Sequence, residues 1–503
     1  MKHIFIGIAI GLIFLGLLRY SFYPNIQSDV PVLYWVTDNN KARKLQVAEF
    51  YNWLVENGHI TKEGKPKLVL KIDSVNGDVS KQIIQCLSGI GGDIIDVRTG
   101  VDQFESMGLL EDITEDAKIM NFSINNTYQS VTSMITTEGD DGKIKQYGFP
   151  CNVSIDLLWV NKDLFKKLEI PLPLNRWSFE DFERIGKEFC LKANKGSLKR
   201  EFYFCWRIDI LSLHQSLGLS VFNETLTKCT LDDPRYIKIL ELIKKWKTED
   251  HILPTKADEE STSTEGGSWG GGLGIALFKR EKCALLYSGR WALVSLRETV
   301  MNLSVLEPPN GGFPNAIVCA RSATIYTGGK HKELAKLFLA YLSSSTYNNL
   351  IVDDADALPP DPSITKRDSF LKPEKFSNEW GCHEAFSNSL DSIGIPTFTS
   401  PYVGYVEWLR VYQANQERFE ANLCTSVEAA KITSILINNK IQQTIIEFPK
   451  KKEQYEKDLA TQKKIDLYRK EGRQVPESWV KNPFHRLHGL RTGWILPNEN
   501  SNE

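Results

Sequence analysis

The chain has 503 residues, room for roughly three domain-sized units or for fewer, larger α/β ones. It is 42% hydrophobic, 25% charged and 11% aromatic, the mix of a folded globular protein, and its 34 Gly and 21 Pro exclude collagen-like and low-complexity chains. The 61 Lys and Arg against 63 Asp and Glu leave a formal net charge of -2, which excludes nucleic-acid binding by basic excess and an acidic disordered chain.

Residues 4–18 are an unbroken run of apolar residues and glycine, preceded by Lys2 and His3 and ended by Arg19. The run is shorter than the about 20 residues of a spanning helix and has the length of a secretory signal's apolar region. Tyr20, Ser21, Phe22, Tyr23 and Pro24 follow, with no small-x-small cleavage site. Residues 1–24 are therefore expected to be a signal peptide or an uncleaved membrane anchor. That places the protein in the periplasm or at the extracytoplasmic face of the inner membrane.

Residues 32–36 form a β-favouring run between Pro31 and Asp38-Asn39, and a helical face follows with Leu45, Ala48, Phe50, Tyr51 and Leu54. Residues 68–72 read as a strand, 79–87 as a helix and 93–97 as a third strand. This βαβαβ order predicts a mostly parallel sheet covered by helices. Ligands of such sheets sit beyond the carboxyl ends of the strands, here at Thr37, Asp38 and Asn39 and at Arg98, Thr99 and Gly100. A second α/β stretch begins near Gly148-Phe149-Pro150, with a strand at 157–160 and a helix at 178–189 capped by Ser178 and Asp181. Residues 234–246 read as an amphipathic helix, 258–274 as a loop, 282–287 and 303–306 as strands, and 331–342 as a helix. A long helix is expected over 427–448, with apolar positions at Ile432, Ile435, Leu436 and Ile441, stopped by Pro449. Beyond it lies a Lys/Glu-rich helical part and then an irregular Pro- and Arg-containing end.

Nine cysteines, Cys86, Cys151, Cys190, Cys205, Cys229, Cys283, Cys319, Cys382 and Cys424, are scattered and contain no CxxC. Buried free thiols are expected for most of them, with one bridge within Cys190, Cys205 and Cys229 as the alternative. The glycine-dense segment 266–272 lacks the Gly-Lys-Ser/Thr end of a phosphate loop. His485-x-x-His488 and Cys382-His383-Glu384 lack a second half with zinc-like spacing, so no metal and no cofactor is expected. Adjacent carboxylates such as Asp353-Asp354 and Glu111-Asp112 do not define a glycosidase pair, and no Gly-x-Ser-x-Gly elbow occurs.

Four segments carry a resemblance. Residues 142–189 contain GKIKQYGFP, then WVNKDLFKKLEIPLP, then RWSFEDFERIGKEF. Residues 279–293 read KREKCALLYSGRWAL, residues 305–342 carry EPPNGGFPNAIVCARSATIYTGGKHKELAKLFLAYL, and GGDIIDVRTG is followed by GLLEDIT. In order and wording they are similar to the family 1 extracellular solute-binding proteins of ABC importers, the group that includes maltose-binding protein. The resemblance covers about residues 31–448 and leaves the tail from 449 to 503 unexplained. Trp159 stands where the family usually has Tyr, and Arg176 where it usually has Thr. The resemblance implies an α/β, two-lobed, periplasmic-binding-protein-like (type II) fold that closes on its solute about a hinge. Lobe one would be 31–148 plus 312–356 and lobe two 150–306 plus 360–448, with crossovers near 148–150, 306–309 and 358–360. It further implies a monomer without enzymatic activity, taking a carbohydrate or other small polar solute to ABC permease membrane subunits. The alternatives are a membrane-tethered sugar sensor and, least favoured, a glycan-active enzyme.

A sugar presents hydroxyls that donate and accept and C–H faces that are apolar, so its site needs planar polar side chains and flat aromatic ones. Asp38, Asn39, Arg98, Thr99, Asn152 and Arg290 are the polar candidates. Trp35, Trp269, Trp291 and Tyr402 are the aromatic ones, and the resemblance singles out Trp291 as facing the solute. For each, the competing role is structural: core packing for the aromatics, and an ion pair, Asx turn or cap for the polar residues.

Overall fold

The computed structural model describes residues 30–74, 79–139, 142–197, 200–262 and 272–498. The segment 1–24 and Trp269 lie outside them. Among the described residues no helix is long and apolar enough to cross a membrane.

β1 (Val32–Val36) turns Leu33 and Trp35 inward and Tyr34 outward, as the pleat requires. It pairs in parallel with β2 (Val69–Asp73) and β3 (Ile94–Val97). The helix Lys41–Glu56 follows β1, its first turn capped by the Asn40 side chain, which accepts from the Arg43 N–H. The helix Val79–Leu87 lies between β2 and β3. A small hairpin, β4 (Thr136–Glu138) with β5 (Ile144–Gln146), leads into β6 (Gly148–Ile155).

The chain changes sheets at Asp156. β7 (Leu157–Asn161), β8 (Tyr203–Cys205), β9 (Cys283–Ser288) and β10 (Leu303–Leu306) form a second sheet of order β10-β7-β9-β8. Residues 307–315 return to the first sheet at β11 (Ala316–Ile325), which pairs with β3, with β6 and with the short β12 (Gly394–Pro396). The third passage is tied at Leu358, which exchanges both backbone hydrogen bonds with Val153 at 3.0 and 2.8 Å. Pro150, within the expected 148–150 crossover, sits inside β6. Proline has no N–H for the ladder, and the register shifts opposite it, between Arg321 and Ser322.

Separate apolar clusters back the sheets. Leu33, Trp35, Phe50, Phe338 and Tyr341 fill one behind the first sheet, and Leu158, Phe182, Phe204 and Trp246 fill one behind the second. Between them Val153, Trp159, Val318, Leu358 and Phe386 pack where the passages cross. Each fully buried aromatic stabilises by about 1.5–3 kcal/mol. A further cluster joins the helices Pro234–Thr248, Tyr405–Glu420 and Ser426–Glu447 through Tyr236, Trp408, Tyr412 and Ile441.

Several expectations are corrected. The buried stripe of Ser426–Glu447 runs through Ala430, Thr433, Ser434, Ile437 and Ile441, while Ile435 and Leu436 are exposed. The helix Ser426–Glu447 ends just before Pro449, as expected. Pro449 also opens the helix Pro449–Lys470 at the first turn, where a missing N–H costs nothing. Residues 475–496 are folded too: β13 (Val475–Pro476) pairs with β14 (Ile495–Leu496), and between them lies the helix Pro483–Thr492. Within the expected 258–274 loop, helices occupy Lys256–Thr262 and begin at Gly272–Lys279. The cysteines are free thiols, most of them buried, as expected, and the alternative bridge within Cys190, Cys205 and Cys229 does not form.

Candidate functional site

The carboxyl ends of β1 and β3 bring Thr37, Asp38, Arg98 and Thr99 to one edge of the first sheet. Asp38 accepts from Arg43 Nε and from Arg98 Nη2, each at 3.2 Å. Burial pushes its carboxyl up, but Arg43, Arg321 and Arg98 outweigh that and hold it below the usual carboxylate range. Beneath it lies a buried ionic layer. Arg43 Nη1 reaches Asp356 Oδ2 at 2.6 Å, and Arg321 Nη1 donates to Asp96 Oδ2 at 3.1 Å and to Thr37 Oγ1 at 3.3 Å. Such a layer positions the rim residues above it, because removing one partner strands a buried charge.

The opposite wall grows from the passage and the second sheet. Asp156 follows β6 and donates its N–H to Ile317 O at 3.1 Å. Asp209 caps the helix Ile210–Gln215, accepting from the N–H of Leu211 at 2.6 Å and of Ser212 at 3.3 Å. Burial, then Asp209, pushes the Asp156 carboxyl up to about 7, with Arg207 pulling the other way. The Asp209 carboxyl is also raised, by burial. Tyr287 and Tyr405 stand within electrostatic reach of Asp209 and Arg207. Cys319, on β11, lies within electrostatic reach of Asp156 and Asp209 on this side and of Arg98 on the other. Burial pushes its thiol up to about 12, so it is not a thiolate nucleophile near neutral pH.

The sequence candidates divide. Asp38, Asn39, Arg98 and Thr99 lie at the first rim, with Asn39 and Arg98 exposed and the other two half-buried. Trp291 is half-buried, just after Gly289. A Cβ at Gly289 would run into Ser154 Oγ and lie 2.7 Å from the Trp291 ring, so glycine is what lets β9 end against the passage strand there. Asn152 is buried, and its Nδ2 donates to Asp356 O at 3.1 Å, binding β6 to the ionic layer.

Three candidates are corrected to structural roles. Trp35 is fully buried, its Nε1 donating to Asp96 at 2.6 Å and its ring 4.7 Å from Phe338. Its face is in the core, leaving none for a solute. Arg290 is buried and donates to His383 Nδ1 at 3.0 Å, Ala357 O at 2.7 Å and Val352 O at 3.1 Å, with Phe370 at 4.6 Å from its guanidinium. It staples β9 to the third passage. Tyr402 is buried under the C-terminal region, its hydroxyl donating to Asp458 at 2.6 Å.

Sequence reasoning missed Asp156, Arg207, Asp209, Tyr287 and Tyr405. The available signal was Trp206-Arg207-Ile208-Asp209 just beyond the three-residue β8, a strand too short for its pattern to register. Neither His485 nor His488 is in this cleft: His485 meets Phe222 O, and His488 stacks on Phe484.

The match to the bacterial extracellular solute-binding protein family spans residues 36–349. The chain belongs to this family. A search of curated proteins gave no match. Among solved structures, an ABC substrate-binding protein from Listeria monocytogenes in complex with cycloalternan is similar over 82% of this chain and 100% of its own, with 19% identity and a TM-score of 0.69. The maltose-bound MalE3 of T. maritima is similar over 81% of this chain and 99% of its own, at 16% identity and a TM-score of 0.65. An ABC transporter solute-binding protein from Agrobacterium vitis with bound D-mannitol covers 82% and 99% respectively, at 17% identity and a TM-score of 0.63. These likenesses show the two-lobed, type II binding-protein fold.

Proposed function

We propose that this protein is the extracytoplasmic solute-binding component of an ABC transporter, capturing a sugar or oligosaccharide between its lobes and delivering it to a membrane permease without covalent chemistry. The observation that carries this reading is the make-up of the two facing walls. Asp38, Asp156 and Asp209 accept, Arg98 and Arg207 donate, and Trp291, Tyr287 and Tyr405 offer flat faces. Acids and bases nearly balance, which suits an uncharged polyhydroxylated solute held by hydrogen bonds and ring contact. The cycloalternan, maltose and mannitol held by the structural neighbours support the same class.

On this reading lobe one is 31–148 with 312–356 and lobe two is 150–306 with 360–448. The protein acts as a monomer, and residues 1–24 export or tether it. Solute touching both walls favours the closed form by its differential affinity for it. A thermal-shift panel of sugars, oligosaccharides and polyols tests the proposal, since a ligand of the native state raises the midpoint. At least one sugar should raise it in a concentration-dependent way. A rise with amino acids or peptides only would refute sugar as the solute class. A second reading, a tethered sugar sensor for a membrane receptor, is favoured by the folded region after Pro449. Sugar-dependent association with a receptor, and none with a permease, would decide for it.

A further inference from the structure

The C-terminal region is anchored to the second-sheet side. Asn482 is fully buried, and its Nδ2 donates to Phe222 O at 2.8 Å and Ser220 Oγ at 3.0 Å. Gln462 Oε1 accepts from the Thr225 N–H at 3.1 Å, and Arg469 pairs with the buried Glu224.

From that anchor the helix Pro483–Thr492 reaches the second passage, residues 307–315. Phe313 of the passage is buried. Its ring lies 5.8 Å from Phe484, edge to face, and 4.8 Å from the His488 ring, and the Arg491 guanidinium stands 5.5 Å from it. The same helix touches the edge of the first sheet. Phe484 and Ile395 of β12 share one apolar cluster with Phe313, and Arg491 donates to Ser392 O shortly before β12.

On its other side the passage holds the cleft wall. The Phe313 N–H donates to Ser216 O at 2.9 Å, the Gly311 N–H to Ser216 Oγ at 3.0 Å, and Asn315 Nδ2 to Ser212 O at 3.0 Å. Ser212 lies in the helix Ile210–Gln215 and Ser216 ends it, while Asp209 caps its start. Contiguous contacts therefore run from the C-terminal helix through Phe313 to the wall that carries Asp209.

We propose that the helix Pro483–Thr492 is a brace on the hinge, with Phe484 and Arg491 positioning the lobes through Phe313. The proposal rests on the reading that the lobes open and close, and not on which solute they hold. The helix is fixed to the second-sheet side and seated on the edge of the first sheet. A rotation about the passages must drag Phe484 and Arg491 across Ile395 and Ser392, and close-packed side chains resist such sliding. The rims already meet: a Cβ at Gly404, where Tyr405–Glu420 begins, would lie 3.2 Å from Gln103 Nε2 on the first-sheet side. Freedom gained on losing the brace is therefore freedom to open. The fraction of molecules ready to close on a solute falls with it, and the apparent affinity in proportion.

The test is small-angle scattering on the solute-free, full-length protein. Phe484→Ala and Phe313→Ala should each enlarge the radius of gyration, and the double variant should open no further than either, since both remove one contact. Phe484→Leu, which keeps an apolar body there, should stay close to the parent. Leu54→Ala, in the cluster behind the first sheet, should lower the thermal midpoint and leave the radius unchanged, which separates bracing from general loss of stability. Should Phe484→Ala fail to fold, Arg491→Gln, at an exposed position, should open the protein in the same direction by less. Profiles identical to the parent's for well-folded Phe484 and Phe313 variants would overturn the brace, as would an equal opening in Leu54→Ala. A parent that compacts on binding its sugar, beside variants that match it without solute, would sink the brace alone. A parent whose profile never changes would remove the hinge beneath it as well.

Discussion

Arg290→Met separates a staple from a solute contact. The guanidinium makes four buried bonds, and the three shorter ones, to His383, Ala357 O and Val352 O, are charge-assisted bonds of a kind worth about 1.5–3 kcal/mol each. Against them stands the cost of burying the charge. Burial, then Arg297, lowers the Arg290 pKa from 12.5 to about 9, so the charge is costly to bury and that cost offsets much of the gain from the bonds. Methionine keeps most of the volume and removes the charge, but takes this donor away from the Ile351, Val352 and Ala357 carbonyls and from the His383 ring. The net loss should be about 2 kcal/mol. For 503 residues the unfolding entropy is roughly 1 kcal/mol/K, so the thermal midpoint should fall by about 2 °C. Denaturant unfolding followed by tryptophan fluorescence reads the loss, and calorimetry with the best sugar of the panel reads the affinity, which should hold within about twofold. A loss of tenfold or more in affinity with unchanged stability would refute the structural assignment.

Trp291→Ala should weaken binding of that sugar at least about tenfold while the thermal midpoint barely moves, if the half-buried ring makes the proposed solute contact; the opposite pattern would place the ring in the core. Asp156 carries a carboxyl whose folded pKa, about 7, lies above its ordinary value of 3.8. The folded state therefore holds a proton that the unfolded state has already lost, and this contribution to stability fades as pH rises from about 4 through 7. Asp156→Asn should be increasingly more stable than the parent between pH 5 and pH 8, and a pH-independent gap in midpoints would count against the assignment. Asn482→Ala removes a buried amide with three backbone or side-chain acceptors. It should cost about 2–3 kcal/mol and expose the C-terminal region to limited proteolysis; unchanged cleavage would contradict the anchoring described.

Much of the first sheet was legible because its signals are local. The strand Val32–Val36 and the helix Val79–Leu87 fall on their predicted residues, and Ser178 is the expected N-cap, with Asp181 closing a capping box. What failed was long-range. β6 continues through Pro150 only because β11, more than 160 residues later in the chain, accepts it with a register shift. The burial of Trp35 follows from its place on the same face as Leu33, which the strand pattern carried but the search for aromatic platforms passed over. Tyr402 was misread because its partner, Asp458, belongs to a region whose fold no local pattern announced. Arg207 and Asp209 were missed because β8 has three residues, and a strand end cannot be read before the strand itself.

The pairing of β11 with β3 also sets an order of events for the chain in time. β1, β2 and β3 are all made within the first hundred residues, and one edge of β3 then waits for residues 322–325. A chain delivered N-terminus first would carry that open edge through some two hundred further residues, and an unpaired strand edge is a template for association with other chains. Closing it is a distant contact, which makes it a slow one. A holdase, or export in the unfolded state, would shield the nascent first lobe during exactly this interval, and the molecule would become resistant to aggregation only once its middle strand had arrived.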